Sequence, residues 1–153
     1  MKKQKQILKK KLYFLVMYNI SDKQKGIQSV HTSVRYCRKY NDDLEFIDYA
    51  DNHETVIFLS GGTSGDMKKH FKFLTKLGVK CTKFNERDLN NSLSSICLVA
   101  DESVYDRDKY FNRDINGISA VNPATFQKRG PDRNNDNSTE QKLFEFLKSC
   151  RLA

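Results

Sequence analysis

The sequence predicts a three-layer α/β sandwich, in which a four-stranded mixed sheet carries helices on both faces. Short apolar runs that are typical of strands alternate with segments whose apolar residues recur at helical spacing. Only about ten residues join the last two strands, which is short for a helical crossover, so these strands are either antiparallel or separated by another strand. The sequence contains no internal repeat.

Three of the four predicted strands are apolar segments, and in the third apolar residues alternate with polar ones. Residues 12–18 and 55–59 are almost continuously apolar or aromatic, which predicts strands that are buried on both faces. Residues 79–84 predict a third strand and residues 95–100 a fourth, with a polar turn at 85–94 between them.

A capping pattern marks the start of the first predicted helix. Ser21 and Gln24 match a capping box, so we expect a helix that runs to about residue 40. Its residues Val30, Val34 and Cys37 fall on one stripe, and we expect this stripe to face the sheet.

Two further helices follow from the same signals. Residues 66–77 predict a second helix, which is preceded by a glycine-rich turn at 61–65 and ended by Gly78. A capping box at Ser138 predicts a last helix that ends near Cys150. The acidic segment 41–54 is expected to be a loop or a short amphipathic element, and residues 128–138 have the composition of a loop or a disordered segment.

The formal net charge of +8 comes mostly from the N-terminus. Residues 1–11 hold six lysines and no acid; without them, 21 of the 27 bases remain against 19 acids, a difference of +2. Residues 41–54 carry six acids and no Lys or Arg, whereas residues 68–83 carry six lysines and no acid. A chain polarised in this way can present a basic face to a polyanion despite its low net charge.

The lysines of the second predicted helix are a candidate footprint for an RNA backbone. The alternative is an ordinary solvated helix face, which the same residues would also form. These lysines are Lys68, Lys69, Lys72 and Lys76.

Composition excludes several classes of protein. No apolar run approaches the roughly 18 residues that a membrane span needs, so we expect a soluble chain with no membrane partner. The four cysteines show no CxxC pair, which argues against a zinc site and favours reduced, mostly buried thiols in a cytoplasmic protein. We expect neither a metal nor a cofactor, and no GxSxG nucleophile elbow is present.

The start of the first helix holds the residues best suited to chemistry. Lys23, Lys25, Gln28 and His31 lie there, and a helix N-terminus favours a bound phosphate. Gln28 and His31 are three residues apart, so they share a face of the helix. The residues form either an anion site or an ordinary helix start with solvated lysines and a backbone-bonded His31.

Two turns offer further candidates. Glu86 and Asp88 follow the third strand, where a carboxylate can orient a lysine or a water molecule; the alternative is an Asx-rich turn. The glycine-rich segment 61–65 can cradle phosphate, but it lacks the Gly-Lys-Ser/Thr ending of a P-loop. A tight turn with a Thr or Ser cap is the simpler interpretation of that segment.

Residues 12–100 resemble the type II peptidyl-tRNA hydrolases. The resemblance rests on an apolar first strand, a Lys/Gly turn and then Gln28 and His31, three residues apart, early in a helix. In the family the corresponding pattern is Gly-Lys-x-Ala-Ala-Gln-x-x-His-Ala. The family's lysine falls at Gln24, with Lys23 and Lys25 on either side. The family's Asp-Ala-Gly-x-Thr turn aligns with residues 88–92, so that Asp88 matches and Ser92 replaces the threonine.

The resemblance implies a function and a set of roles. It implies a three-layer fold like that of the family. It also implies that the ester linking the peptide to tRNA is hydrolysed without a metal. Asp88 would orient or activate the water, and Lys23 or Lys25 would stabilise the developing negative charge. His31 and Gln28 would hold the polar network of the site, and Gln28 and Ser92 would bind substrate. The lysine-rich helix and the N-terminal lysines would hold tRNA phosphates.

The departures from the family pattern favour an alternative. Gly26 and Ile27 replace the Ala-Ala pair, and Thr32 follows His31, as in a specialised, for example phage-encoded, branch. Such a chain would bind RNA or a nucleotide without catalysis, for instance to sequester a host nucleotide signal. A third option is a protein-interaction module that uses the acidic segment 41–54.

We therefore divide the chain into three parts. Residues 1–11 form a basic tail, residues 12–100 the α/β core, and residues 101–153 an irregular extension that ends in a helix. The extension is a candidate lid or oligomer contact, and a homodimer is one of the assemblies that we consider.

Overall fold

The computed structural model describes residues 8–106 and 138–153. Four strands form one sheet: β1 Lys10–Val16, β2 Val56–Ser60, β3 Cys81–Glu86 and β4 Ser92–Asp101. The helices of the described residues are α1 Asp22–Lys39, α2 Leu44–Asn52, α3 Ser64–Lys76, α4 Glu102–Tyr105 and α5 Thr139–Ser149. Residues 1–7 and 107–137 lie outside this description, so most of the segment 128–138 with loop composition also lies outside it.

The sheet has the order β2-β1-β4-β3. β1 is parallel to β2 and antiparallel to β4, and β3 is also antiparallel to β4. β1, β2 and β3 therefore run in one direction and β4 runs against them. The predicted four-stranded mixed sheet is confirmed, and the last two strands are antiparallel neighbours.

A separate apolar core covers each face of the sheet. Leu12, Phe14 and Val16 of β1 pack with the α1/α2 layer, through Tyr36 and Tyr49. The alternate residues of β1, Tyr13 and Leu15, pack on the other face with α3 and α5. Because successive side chains of a strand point to opposite faces, a strand between two helical layers must be apolar throughout, which explains the continuous run at 12–17.

The prediction for α1 is wrong about which side faces the sheet. The capping box of Ser21 and Gln24 is present, and α1 ends at Lys39 as expected. The predicted stripe is nevertheless exposed: Val30 and Val34 are each 62% accessible, and Cys37 is exposed as well. The buried residues of α1 are Gln28, Ser29, Thr32 and Tyr36.

The buried side of α1 accepts polar residues because their hydrogen bonds are satisfied locally. The hydroxyl of Ser29 donates to the carbonyl of Lys25 at 2.8 Å, and that of Thr32 donates to the carbonyl of Gln28 at 2.8 Å. The Thr82 hydroxyl of β3 then donates to the Thr32 carbonyl at 3.2 Å. With these groups paired, burial of the polar side costs little.

The second strand is also less buried than expected. β2 lies at an edge of the sheet, and its residues Val56 and Phe58 are 42% and 38% exposed. The C-terminal residues pair along its outer side, where the Ser60 N–H donates to the Arg151 carbonyl at 2.7 Å and the Ala153 N–H donates to the Phe58 carbonyl at 3.1 Å. This cover reduces the number of unpaired backbone groups on the edge strand.

Capping residues define where the other helices begin and end. The acidic segment forms the amphipathic helix α2, whose first turn is capped by the Asp43 carboxylate. Thr63 caps α3, and Gly78 ends it with a φ of +75°. A side chain at Gly61 would collide with Met67, so the glycine-rich segment is a tight turn into a helix. Ser138 caps α5 as predicted.

The thiols test the orientation of α1. We expect a bulky thiol reagent to modify Cys37 fastest in the native protein at high dilution, where chains do not associate, because Cys37 is exposed whereas Cys81 and Cys97 are buried and burial raises the pKa of both thiols. Mass spectrometry of the labelled peptides, with the partly buried Cys150 as an internal comparison, measures the order of reaction. A fast phase that survives Cys37→Ser would contradict the orientation of α1.

Candidate functional site

One edge of the sheet gathers the loops that carry the candidate residues. The carboxyl ends of β1, β2 and β3 lie at this edge, together with the first turns of α1 and α3. Backbone hydrogen bonds join the loops: the Tyr18 N–H donates to the Gly62 carbonyl at 3.0 Å, and the Met17 N–H donates to the Ser94 carbonyl at 3.0 Å. In open α/β sheets this is the edge at which ligands bind.

A β-bulge shapes the start of β4. Phe84 pairs with Ser95 and Asn85 pairs with Leu93, so Ser94 is an extra residue in the ladder. The hydroxyl of Ser94 is fully buried and donates to the side-chain oxygen of Gln28 at 2.8 Å. The bulge therefore turns a serine of a core strand toward α1.

Gln28 is held at both ends of its amide group. Its nitrogen donates to a carboxylate oxygen of Glu86 at 2.6 Å, and its oxygen accepts the hydrogen bond from Ser94. The side chain is 3% exposed, so this polar group is buried and paired. The two bonds connect α1 to the end of β3 and to the start of β4.

Glu86 is the charged centre of this network. Its other carboxylate oxygen accepts the backbone N–H of Asp88 at 3.3 Å and so caps the 3₁₀ turn Arg87–Leu89. The hydrogen bond from Gln28, followed by those from the backbone of Asp88 and Arg87 and by the nearby His31, lowers the pKa of the Glu86 carboxyl. Glu86 is therefore an anion at neutral pH.

An aromatic stack lies beside the network. The His31 ring stacks on the Phe84 ring with centroids 4.6 Å apart and an interplanar angle of 14°. The Arg35 guanidinium lies 4.7 Å from the Phe84 centroid and donates to the Lys83 carbonyl at 3.0 Å. Because His31 and Arg35 are four residues apart on α1, they present a partly exposed row of planar, cationic or ionisable groups.

We call this group the Gln28 site; it consists of Gln28, His31, Phe84, Glu86 and Ser94. It contains two predicted residues, Gln28 and His31, and borders two more. Asp88 is exposed in the 3₁₀ turn, and Ser92 begins β4 directly opposite Glu86. The structure thus brings Gln28, His31, Asp88 and Ser92 to one place.

The two lysines at the start of α1, Lys23 and Lys25, lie on different sides of the helix. Lys25 is three residues before Gln28 and shares its side of the helix, and its ammonium lies 3.1 Å from the Asp22 carboxylate. Lys23 is exposed on the outer side with Ile27. Gln24, which aligns with the family's lysine, accepts the Ser21 N–H at 3.2 Å in the capping box.

The lysine-rich helix lies in the other layer. α3 packs through Met67 and Leu74 on the face of the sheet opposite α1. Its four predicted lysines are exposed, and the Lys69 ammonium is 3.8 Å from the Asp66 carboxylate. These lysines and the Gln28 site belong to different layers. A cavity of about 420 Å³, lined in part by Leu59 and Phe144, also lies on the α3 side.

Phe84, Arg35 and Ser94 lie at the site although no sequence motif indicated them. The adjacent serines Ser94 and Ser95 inside an apolar run were the available signal, because a bulge places two residues opposite one. Glu86 was noted as a carboxylate at a strand end, but its contact with Gln28 depends on the rotation of α1.

Comparison with protein-family models and with curated proteins finds no match for this chain. Within residues 8–106 and 138–153, no three His, Cys, Asp or Glu side chains meet in an arrangement that could hold a metal ion. None of the helices that the structure describes is long and apolar enough to cross a membrane.

The Gln28 network makes a prediction about stability. We expect Gln28→Ala to lower the free energy of unfolding by about 1–3 kcal/mol, because Glu86 loses a donor and the buried Ser94 hydroxyl loses its 2.8 Å acceptor. The Ser94 hydroxyl keeps only the longer contact, at 3.3 Å, with the Phe84 carbonyl. Urea denaturation at neutral pH measures the change. Gln141→Ala is the matched control, since the Gln141 amide donates to Glu145 at 2.8 Å on an exposed helix surface, where such a pair contributes only ~0.5 kcal/mol.

The same variant has an expected pH dependence. A carboxyl whose pKa is lowered on folding stabilises the protein above its unfolded pKa, and this contribution is lost as the pH falls through the folded pKa. The difference in the free energy of unfolding between wild type and Gln28→Ala should therefore become smaller as the pH falls. If Gln28→Ala and Gln141→Ala lower the free energy of unfolding equally at neutral pH, the Gln28 network does not stabilise the fold.

Proposed function

We propose that this chain hydrolyses the ester between a peptide and the 3′ ribose of tRNA, in the manner of the type II peptidyl-tRNA hydrolases that its sequence resembles. The observation that carries the proposal is the convergence at Glu86. Gln28 and His31 of α1 meet there with the turn that bears Asp88 and with Ser92. These residues span 64 positions, from Gln28 to Ser92; Gln28, His31 and Asp88 match the family pattern, and Ser92 replaces its threonine with another hydroxyl.

Ester hydrolysis needs a group that takes a proton from water and a group that stabilises the oxyanion. Asp88 is an exposed carboxylate at the rim of the site, and it is the group that we assign to orient and activate water. Lys25 is the better placed of the two lysines, because it shares the Gln28 side of α1. Its partner Asp22 is 98% exposed, so this ion pair can open at little cost when a substrate anion forms.

Gln28 and Glu86 have a supporting role in this proposal. Both ends of the Gln28 amide are occupied, so the side chain keeps one orientation and fixes the end of β3. Glu86 in turn caps the turn that carries Asp88. The network thereby holds Asp88 at a constant distance from α1, which is the requirement for positioning a reacting water.

The aromatic stack is suited to the acceptor end of tRNA. Unpaired bases are recognised by stacking on aromatic rings, on histidine and on arginine planes, and His31, Phe84 and Arg35 offer all three. The α3 lysines lie in the other layer, so in this proposal they contact tRNA phosphates away from the ester. The N-terminal lysines add long-range attraction for the polyanion.

The proposal predicts the kinetics of specific variants. We expect Asp88→Ala to lower kcat/KM for peptidyl-tRNA by ~10²–10⁴-fold, the usual range for removal of a proton-transfer group. Lys25→Ala should lower kcat, whereas Lys23→Ala should have little effect because Lys23 is on the outer side of α1. Release of peptide from a blocked, labelled tRNA measures all three.

Controls separate chemistry from folding and from binding. Glu140→Ala removes another exposed carboxylate, on α5, and should leave the rate unchanged. Circular dichroism shows whether each variant is folded. If the wild-type protein cleaves the ester no faster than Asp88→Ala, the protein is not a hydrolase of peptidyl-tRNA.

One observation favours a second function, namely binding of RNA or a nucleotide without hydrolysis. The residue aligned with the family's lysine is Gln24, whose side chain is used in the capping box, and Lys25 is paired with Asp22. In this case tRNA would bind without loss of the peptide. Arg35→Gln would weaken that binding, and the affinity would fall steeply with salt if phosphates dominate.

A further inference from the structure

The outer surface of the α1/α2 layer carries apolar residues that the fold does not cover. On α1 these are Ile27, Val30 and Val34, of which the last two are each 62% exposed. On α2 they are Leu44 at 80% and Ile47 at 37%. Both sets recur at helical spacing on the side of each helix that faces away from the sheet.

The two helices have opposite charge. α1 carries five bases and one acid, and Lys23 and Arg38 lie at the two ends of its apolar stripe. α2 carries three acids and no Lys or Arg, and two of the acids, Glu45 and Asp51, are exposed. One side of this surface is therefore basic and apolar, and the other side is acidic and apolar.

The helices are neighbours on one face. Only four residues separate the end of α1 from the start of α2, and the rings of Tyr36 and Phe46 contact each other with centroids 5.3 Å apart. A surface with two complementary halves is self-complementary, because a two-fold rotation can place each half against the other half of a second copy. We propose that this chain forms a two-fold symmetric dimer in which α1 of each copy packs against α2 of the other.

Charge selects this arrangement over the simpler one. A contact of α1 with α1 would bring two basic helices together, whereas α1 against α2 pairs bases with acids around an apolar centre. Val30 and Val34 of one copy lie in that centre against Leu44 and Ile47 of the other. Gln28 points to the sheet side of α1, so the dimer leaves the buried network of the Gln28 site intact.

Sedimentation equilibrium of the full chain tests the proposal. We expect a species of twice the 17.8 kDa chain mass at about 100 µM, where even a Kd of ~1 µM leaves most chains associated. Val30→Glu with Val34→Glu should raise the Kd at least tenfold, roughly the effect of one buried anchor. Val56→Glu, which changes an exposed apolar residue on β2, is the matched control and should leave the Kd unchanged.

Charge reversal identifies the partner helix. Arg38→Glu alone and Asp51→Lys alone should each weaken self-association, because each places like charges across both copies of the contact. An equimolar mixture of the two variants should restore the dimer, since both contacts then pair opposite charges.

Four results would overturn the proposal, and three of them concern self-association. They are a wild-type chain that stays monomeric at the stated concentration, a dimer that the Val30/Val34 variant does not weaken, and a mixture that associates no better than its components. A complex of the α1 stripe with another protein in place of the dimer would also overturn it.

Discussion

The hydrogen bonds of Gln28 to Glu86 and Ser94 are the constraint on which the rest of this structure depends. A buried amide must have both its donor and its acceptor satisfied, and among the described residues the end of β3 and the bulge in β4 supply these partners. The pairing sets the rotation of α1 about its axis. Once Gln28 faces the sheet, the apolar residues Val30 and Val34 must face outward.

Site and surface are thus two consequences of one rotation. The inner side of α1 brings Gln28 to Glu86 and so positions the turn of Asp88, where we propose the chemistry. The outer side presents the apolar stripe that we propose as half of a dimer contact. An apolar inner face would have removed both features, because Glu86 would have no partner on α1 and the stripe would be part of the core.

Periodicity predicted most of the elements but not this rotation. Each described strand overlaps a predicted strand, and the caps at Ser21, Thr63 and Ser138 mark real helix starts, because these signals are local. The apolar spacing of α1 indicated the wrong side, since its polar side is satisfied by β3 and β4, which are distant in sequence. Gln28, His31 and Asp88 were predicted from a local sequence pattern and stay a prediction as site residues. The Ser94 bulge, the edge position of β2 and the layer of the α3 lysines depend on contacts between distant segments, so only the fold shows them.

The pKa of Glu86 is the most direct measure of whether the Gln28 network exists. Carbon-detected NMR of the Glu86 carboxyl, with nitrogen-detected NMR of the Gln28 side-chain amide, follows both partners through one acid titration. We expect a pKa below the ordinary value of 4.5 for Glu86, a Gln28 amide that shifts with the same midpoint, and a rise of the Glu86 pKa in Gln28→Ala. If the Glu86 carboxyl titrates at its ordinary value in both proteins and the Gln28 amide does not respond, the Gln28 network does not exist.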